Sequence, residues 1–378
     1  MDTEGVAIIR RSAQIHVSRN IFVSIAAYRD DELWPTVLDA IAQASHPQAL
    51  RVAVLEQSAE PTHASLQGRA DLQRLGGLHY MHLHHQYSRG PCWARSLLGT
   101  LLQEEDYFLQ IDSHMRFDAR WDEHLIETLE SLKAQNTRSI ISTYPCRFEY
   151  SQATPAAPDE QDRHIRKHPN PGQALVLRPK PQQVLGEQHP VLTFQSVPTK
   201  TSTPVPGHHV GAGCLFSRAD LLREVPIDPH LYFHGEEQNI ATRAWTSGWD
   251  IWHMPDMPIY HLYQEPGRSS RPLHWDAQED QLRDESWHVL EQRSRRRLAA
   301  LLYGPPGNDE LGCFGLGRER TLQEFAQASG IDYPGRKLRH RSGACGAASK
   351  KPQGIDLSRM SWYHGSAFKS VVLKESSR

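Results

Sequence analysis

The sequence is poor in cysteine and has no C-x-x-C pair. Its 378 residues contain five cysteines, an odd number scattered over the chain. This argues against a disulfide framework and against a cysteine zinc site. The sequence also lacks the ~18 consecutive apolar residues that a membrane span needs, and its amino terminus lacks the basic and then apolar layout of a secretory leader. We therefore expect a cytoplasmic protein without a membrane span.

The sequence also has no large excess of positive or negative charge. The net charge of −2 argues against electrostatic binding of nucleic acid or of an anionic membrane by the whole chain. The hydrophobic content of 38% and the charged content of 23% are those of an ordinary soluble protein. The length allows two domains or one enlarged domain.

One stretch stands out, Y-F-L-Q-I-D-S-H-M-R-F at residues 107–117. Its first five residues form an apolar run, which predicts a strand buried on both faces of a mostly parallel sheet. Asp112, Ser113 and His114 follow at the carboxyl end, where ligands of open α/β sheets bind. Asp112 and His114 are two residues apart, so they can point to one side and share a divalent cation. The alternative is a helix-capping aspartate beside an exposed histidine.

The first 55 residues predict a β-α-β unit of the kind that builds nucleotide-binding sheets. The segment I-F-V-S-I-A-A-Y-R-D predicts its first strand, with Asp30 and Asp31 placed to start the helix. Tyr28 and Arg29 would lie at the carboxyl end of that strand, where a base or ribose binds. A helix opened by S-R-G-P carries Arg95 in its first turns, near the positive end of the helix dipole, which favours a diphosphate. All three residues have an alternative as ordinary surface side chains.

Four histidines between residues 79 and 85 form a tract that ends a predicted third strand. They are a second candidate metal site, but alternating side chains of a strand point to opposite faces and do not converge automatically.

Further candidates lie in the second half of the chain. Gly211 and Gly213 allow close approach of the backbone to a ligand. Glu236 and Glu237 fall in the first turn of a predicted helix, where acids are also ordinary dipole partners. His261 follows a short aromatic run and has an alternative as a core histidine.

Between these parts the chain changes character. Residues 146–206 are rich in proline and predict an irregular insertion, with short strands at residues 173–178 and 191–195. We expect a lead-in over residues 1–19, a main domain over residues 20–300 and a C-terminal extension over residues 301–378. The extension ends in a basic stretch from residue 336 and a mobile tail of ~40 residues.

The ordered set I-A-A-Y-R-D, G-P-C-W-A-R, I-D-S-H, G-A-G-C-L-F, F-H-G-E-E and Y-H-L-Y resembles the UDP-sugar transferases of the GT-A fold. It is most similar to the cytoplasmic protein-hydroxyproline N-acetylglucosaminyltransferases, a family named after the enzyme that modifies Skp1. It is more distantly similar to the polypeptide N-acetylgalactosaminyltransferases, which share D-S-H. The resemblance implies an α/β GT-A type nucleotide-sugar-binding fold with a mostly parallel central sheet. The implied activity is metal-dependent transfer of N-acetylglucosamine (GlcNAc) from UDP-GlcNAc to a hydroxyl of a protein or peptide, such as hydroxyproline, with retained configuration.

The resemblance also implies roles for individual residues. Asp112, His114 and His261 would bind Mn²⁺, with Mg²⁺ as the alternative ion. The nucleotide and its diphosphate would contact Tyr28, Arg29, Arg95, Asp112 and Ser113. The sugar and the acceptor hydroxyl would face Gly211, Gly213, Glu236 and Glu237, and which of the two glutamates points inward stays open. Two other functions remain: a metal-dependent hydrolase that uses the histidine tract, and a non-catalytic UDP-sugar-binding protein.

Overall fold

A computed structural model describes residues 19–63, 69–150, 165–264, 272–304 and 309–339. The predicted lead-in, apart from its last residue, and the predicted mobile tail lie outside this part of the chain. The strands are β1 (Ile21–Tyr28), β2 (Leu50–Ser58), β3 (Gly77–His84), β4 (Tyr107–Asp112), β5 (Met115–Phe117), β6 (Ser139–Ser142), β7 (Cys146–Tyr150), β8 (Ile165–Lys167), β9 (Gln173–Pro179), β10 (Phe194–Lys200), β11 (Val205–Gly207), β12 (Cys214–Arg218), β13 (Asp250–His253), β14 (Ile259–His261), β15 (Ile331–Asp332) and β16 (Lys337–Leu338). The helices are α1 (Leu33–Gln43), α2 (Pro91–Gly99), α3 (Trp121–Ser131), α4 (Asp220–Glu224), α5 (Glu236–Thr246), α6 (Ala277–Asp280), α7 (Trp287–Tyr303) and α8 (Leu322–Ser329).

A central sheet with strand order β11-β13-β6-β12-β4-β1-β2-β3 organises the fold. The neighbours β3, β2, β1 and β4 run parallel, as do β6 and β13, whereas β12 and β11 are antiparallel to their neighbours. The predicted fold class, an α/β protein with a mostly parallel central sheet, is therefore confirmed.

Strand β4 lies inside this sheet and is buried on both faces, as its apolar run predicts. Its Leu109 and Ile111 belong to a core with α1 and α3, whereas Phe108 belongs to a core with α2 and α5. Helices thus cover both faces, and Asp112 emerges where the buried run ends.

A smaller sheet, with order β5-β14-β7-β8, lies at the exit of β4. Strand β14 pairs antiparallel with β5, and His261 is opposite Met115. Because Met115 follows His114 directly, this pairing brings the end of β14 to the D-S-H turn.

The insertion over residues 146–206 contains more regular structure than its proline content suggests. Strands β7 and β8 belong to the smaller sheet, and β11 forms an edge of the central one. The strand predicted at residues 173–178 is β9. The strand predicted at residues 191–195 is displaced to β10, because β10 pairs with β9 from Phe194 onwards.

The described part of the C-terminal extension packs on the main body. Helix α8 places Phe325, 1% exposed, in a cluster with Leu298 of α7, Trp245 of α5 and Phe194 of β10. Among the described residues, no helix is both long and apolar enough to span a membrane.

Candidate active site

Asp112, His114 and His261 come together at the carboxyl end of β4. Nε2 of His114 lies 3.0 Å from Nε2 of His261, and Nε2 of His261 lies 3.3 Å from Oδ2 of Asp112. Each side chain offers one ligand atom within 4.8 Å of the others, and they form the one such group in the described part of the chain. The convergence expected from the sequence is therefore present in the structure.

Arg95 forms an ion pair with Asp112 on the side away from the two histidines. Nη2 of Arg95 donates to Oδ1 of Asp112 at 2.7 Å, while Oδ2 faces the histidines. Burial acts to raise the pKa of Asp112, but the hydrogen bond from His261 and the charge of Arg95 outweigh it and hold this pKa well below its usual range. Asp112 is consequently an anion at neutral pH, as a metal ligand must be.

Glycine is required opposite this carboxylate. A Cβ atom at Gly213 would lie 2.2 Å from Oδ2 of Asp112, and one at Gly211 would lie 2.4 Å from the carbonyl oxygen of Thr143. The two glycines thus make room for atoms of the protein itself, and Gly213 sets the space in which Asp112 sits.

Arg95 also binds Glu236, and both side chains are buried. Nη1 of Arg95 donates to Oε2 of Glu236 at 2.5 Å, with side-chain exposures of 5% and 4%. Burial raises the pKa of Glu236, and the Arg95 charge opposes that shift. Burial acts to lower the pKa of Arg95, but Glu236 and Asp112 raise it above its ordinary value. The structure therefore places Arg95 between two carboxylates rather than on an open surface.

Glu237 has a different environment from its neighbour. Its Oε1 accepts from the backbone N–H of Ala212 at 3.0 Å, and its Oε2 contacts the Tyr144 hydroxyl and Nε2 of His209. The side chain of Glu237 is 30% exposed. Of the two glutamates, Glu237 is thus the accessible one.

Tyr28 and Arg29 lie at the carboxyl end of β1, as predicted, and contact residues 272–283, here called the strap. Nη2 of Arg283 donates to the Tyr28 hydroxyl at 2.6 Å, and the His274 ring centroid lies 4.8 Å from that of Tyr28. Arg29 forms an ion pair with Glu279 and has a left-handed φ of 46°, which is unusual outside glycine. The strap therefore borders the predicted uridine position.

Ser88 of the S-R-G-P segment does not cap helix α2. Helix α2 starts after Gly90, whose φ is 94°, and the Ser88 hydroxyl donates to Oε1 of Gln57 at 2.5 Å. Nε2 of His274 lies 2.8 Å from the same hydroxyl, which ties the strap to this loop.

The histidine tract does not form a metal cluster within the described residues. It belongs to β3, an edge strand, and to the turn that follows it. Nε2 of His82 contacts the carbonyl of Ser58 at 3.2 Å, and Nδ1 of His85 contacts Glu279 at 3.2 Å. The hydrolase alternative therefore has no support from this geometry.

Sequence reasoning missed several residues around the site. Oδ2 of Asp30 accepts from the Ser113 hydroxyl at 2.6 Å and lies 2.7 Å from Nδ1 of His114. Asp30 was expected only to start a helix, although its position one residue beyond Tyr28 and Arg29 was a usable indication. Tyr144 and His209 had no periodic or motif pattern that could have revealed them.

Comparisons with known proteins add the family. No curated protein matches the chain. Among solved structures the chain is similar to GalNAc-T7 with UDP, GalNAc and Mn²⁺, at 15% identity and a TM-score of 0.47, covering 82% of this chain and 56% of that one. It is also similar to S. aureus TarS, at 12% identity and a TM-score of 0.41, covering 70% of this chain and 42% of that one.

The chain thus spans 56% and 42% of the lengths of these two structures. A family model described as "Glycosyltransferase (GlcNAc)" matches residues 20–77 and 69–334, which include every site residue named above. The chain belongs to this GlcNAc glycosyltransferase family.

Proposed function

We propose that the protein is a metal-dependent glycosyltransferase of the GT-A type that transfers GlcNAc from UDP-GlcNAc to a hydroxyl of a protein or peptide. The observation that supports this most is the convergence of Asp112, His114 and His261 at the carboxyl end of β4. Family membership supports the reaction class and the donor sugar.

The donor atoms fit a divalent cation. One carboxylate oxygen and two imidazole nitrogens suit ions such as Mn²⁺, and a set of three protein ligands leaves coordination positions for phosphate oxygens. The two Nε2 atoms, 3.0 Å apart, lie close enough to be neighbouring ligands of one shared cation. Asp112, His114 and His261 would hold Mn²⁺, or Mg²⁺ as the alternative, and the ion would stabilise negative charge on the leaving UDP.

The remaining site residues would contact the nucleotide at the carboxyl ends of β1 and β4. Ala26 pairs with Asp112 across β1 and β4, so Tyr28 and Arg29 lie just beyond that pair. Uridine at Tyr28 and Arg29 would therefore lie beside the metal ligands. Arg95, which is buried, would act on the diphosphate through Asp112, and Ser113 would act through the turn that it stabilises.

The sugar and the acceptor would lie on the side of Glu237 and the backbone of Gly211 to Gly213. In the transfer, the acceptor oxygen forms a bond to C1 of the sugar while the bond from C1 to the phosphate oxygen breaks. UDP leaves with the electron pair, and the acceptor proton passes to a phosphate oxygen of UDP. This front-face route retains configuration and requires no covalent bond to Glu236 or Glu237.

The acceptor is proposed from the family resemblance of the motifs. Hydroxyproline, or a similar secondary hydroxyl in a protein, is the acceptor class that this resemblance implies. The described strands of the insertion, of which β7 and β8 belong to the smaller sheet, would contribute to the acceptor groove.

A donor screen tests the proposal. Purified protein with Mn²⁺ should release UDP from UDP-GlcNAc faster than from UDP-glucose or UDP-galactose, and EDTA should abolish the release. The Asp112→Ala variant should release no UDP above background. Unchanged turnover in that variant, or in EDTA, would contradict the proposal.

A further inference from the structure

Asp30 is a buried carboxylate next to the metal ligands. Its side chain is 4% exposed, and it lies between the end of β1 and the start of α1. Oδ1 accepts from the backbone N–H of Glu32 at 3.0 Å, and this hydrogen bond stabilises the turn between β1 and α1. Oδ2 is directed to the D-S-H segment instead, where it meets the Ser113 hydroxyl and the His114 ring.

The contact with His114 determines which ring nitrogen bears hydrogen. An ionised carboxylate can only accept, so Nδ1 of His114 must be the donor across the 2.7 Å contact. In the neutral ring, Nε2 is then the nitrogen with the lone pair. That atom is the one directed at His261, 3.0 Å from its Nε2.

We infer that Asp30 is a positioning residue, which fixes the Nδ1–H tautomer and the ring orientation of His114 and so reserves Nε2 for the cation. This inference rests on the proposed metal site. Carboxylates that bind the far nitrogen of a ligating histidine raise its basicity, and their loss typically weakens metal binding by about 10- to 100-fold.

Ser113 has a part in the same arrangement. Its hydroxyl donates to Oδ2 at 2.6 Å, and the Ser113 side chain is buried. With two donors on one oxygen, Asp30 stays in one orientation, and the turn that carries His114 is fixed to α1. The Thr36 hydroxyl reinforces this attachment by donating to the Ser113 carbonyl at 2.8 Å.

The test compares Asp30→Asn with Asp31→Asn. Asp31 is the exposed neighbour, so the control removes the same charge one residue away. Mn²⁺ affinity of the full chain is measured from the electron paramagnetic resonance signal of free Mn²⁺, without donor or acceptor. We expect Asp30→Asn to bind Mn²⁺ at least about tenfold more weakly than the unmodified chain. The asparagine side chain has one accepting oxygen, so it cannot accept both from the Glu32 N–H and from Ser113 and His114, as the two carboxylate oxygens do. Asp31→Asn should bind as the unmodified chain does.

A second measurement keeps the inference testable if Asp30→Asn fails to fold. Nitrogen chemical shifts of the His114 ring in the unmodified, metal-free chain at pH 8 should show hydrogen on Nδ1. Hydrogen on Nε2, or Mn²⁺ affinity unchanged in folded Asp30→Asn, would overturn the role of Asp30 alone. Absence of Mn²⁺ binding in the unmodified chain would instead overturn the metal site and, with it, both proposals.

Discussion

Gly213 shows how closely single atoms define the candidate site. A methyl group there would lie 2.2 Å from Oδ2 of Asp112, which no side chain tolerates without a shift. We expect Gly213→Ala to displace this carboxylate and lower the rate of UDP release by about 10²-fold, as small misplacements of catalytic groups do. Gly186→Ala is the control, because a Cβ atom there has open space. Equal rates in the two variants would show that Asp112 does not need its observed position.

Glu236 and Glu237 provide a second prediction, because adjacent residues have different surroundings. Glu236→Gln weakens a buried ion pair with Arg95 and should lower the free energy of unfolding by roughly 3 kcal/mol, the lower end of the range for such pairs. Glu237→Gln should leave stability nearly unchanged and lower kcat by about 10²-fold, because it removes a negative charge that would stabilise positive charge developing on the sugar in the transition state. Urea unfolding and steady-state UDP release measure the two effects. A kcat loss in Glu236→Gln together with a stability loss in Glu237→Gln would show that Glu236, and not Glu237, acts on the substrates.

At this scale the sequence predicted the residues that the structure brings together, but not what holds them. Asp112 and His114 followed from their spacing after a buried strand, and His261 from its place in an ordered motif set. Asp30 was missed because its contact with His114 joins residues 84 positions apart, for which local patterns give no indication. Arg95 was expected to contact a diphosphate, with an ordinary surface position as the alternative. Its two carboxylate partners were not predicted, because helix periodicity does not reveal contacts with distant residues.

At the scale of elements, His274 of the strap leads to a prediction about how the free energy of unfolding depends on pH. His274 accepts at Nδ1 from Tyr232 and Arg283 and contacts Ser88 through Nε2, so it is neutral in the fold. Burial and the Arg283 charge lower the pKa of His274 to about 3, whereas a histidine in an unfolded chain has a pKa of ~6.5. The unfolded chain therefore binds this proton first as the pH falls. The stability contribution is present above pH ~6.5 and declines as the pH approaches 3.

We expect the free energy of unfolding to fall with pH from 6.5 to 4, and His274→Gln to remove on the order of 3 kcal/mol of that fall. Urea titrations at several pH values measure this slope. The exposed His189, as His189→Gln, is the control and should leave the slope unchanged. A slope in His274→Gln identical to that of the unmodified chain would contradict the neutral state of His274.

Regular elements with clear periodicity were predictable, and those defined by distant pairing were not. The buried strand β4 and the start of α5 followed from local patterns. Strand β10 was misplaced because its register is set by β9, and β7 gains its strand conformation from pairing with β14, more than 100 residues later. Such pairings depend on tertiary packing rather than on local sequence.

At the scale of the whole molecule, the C-terminal segment stabilises the helix that carries the glutamates. Phe325 of α8 lies edge-on to Trp245 of α5, with ring centroids 5.5 Å apart, and stacks with Tyr333 at 6.1 Å. We expect Phe325→Ala to lower the free energy of unfolding by about 3–5 kcal/mol, the cost of removing a buried ring. The control Val184→Ala concerns a residue 64% exposed and should change stability little. A change below ~1 kcal/mol in Phe325→Ala, by urea unfolding, would show that α8 is dispensable to the body.

The central claim, that residues distant in sequence form one catalytic metal site, is tested most directly by Mn²⁺-dependent UDP release from UDP-GlcNAc in His261→Ala and His79→Ala. His261 lies beside Asp112 and His114, whereas His79 lies on the edge strand β3. We predict that His261→Ala loses release by at least about 10²-fold while His79→Ala retains it. Full activity in His261→Ala, or loss only in His79→Ala, would contradict the account.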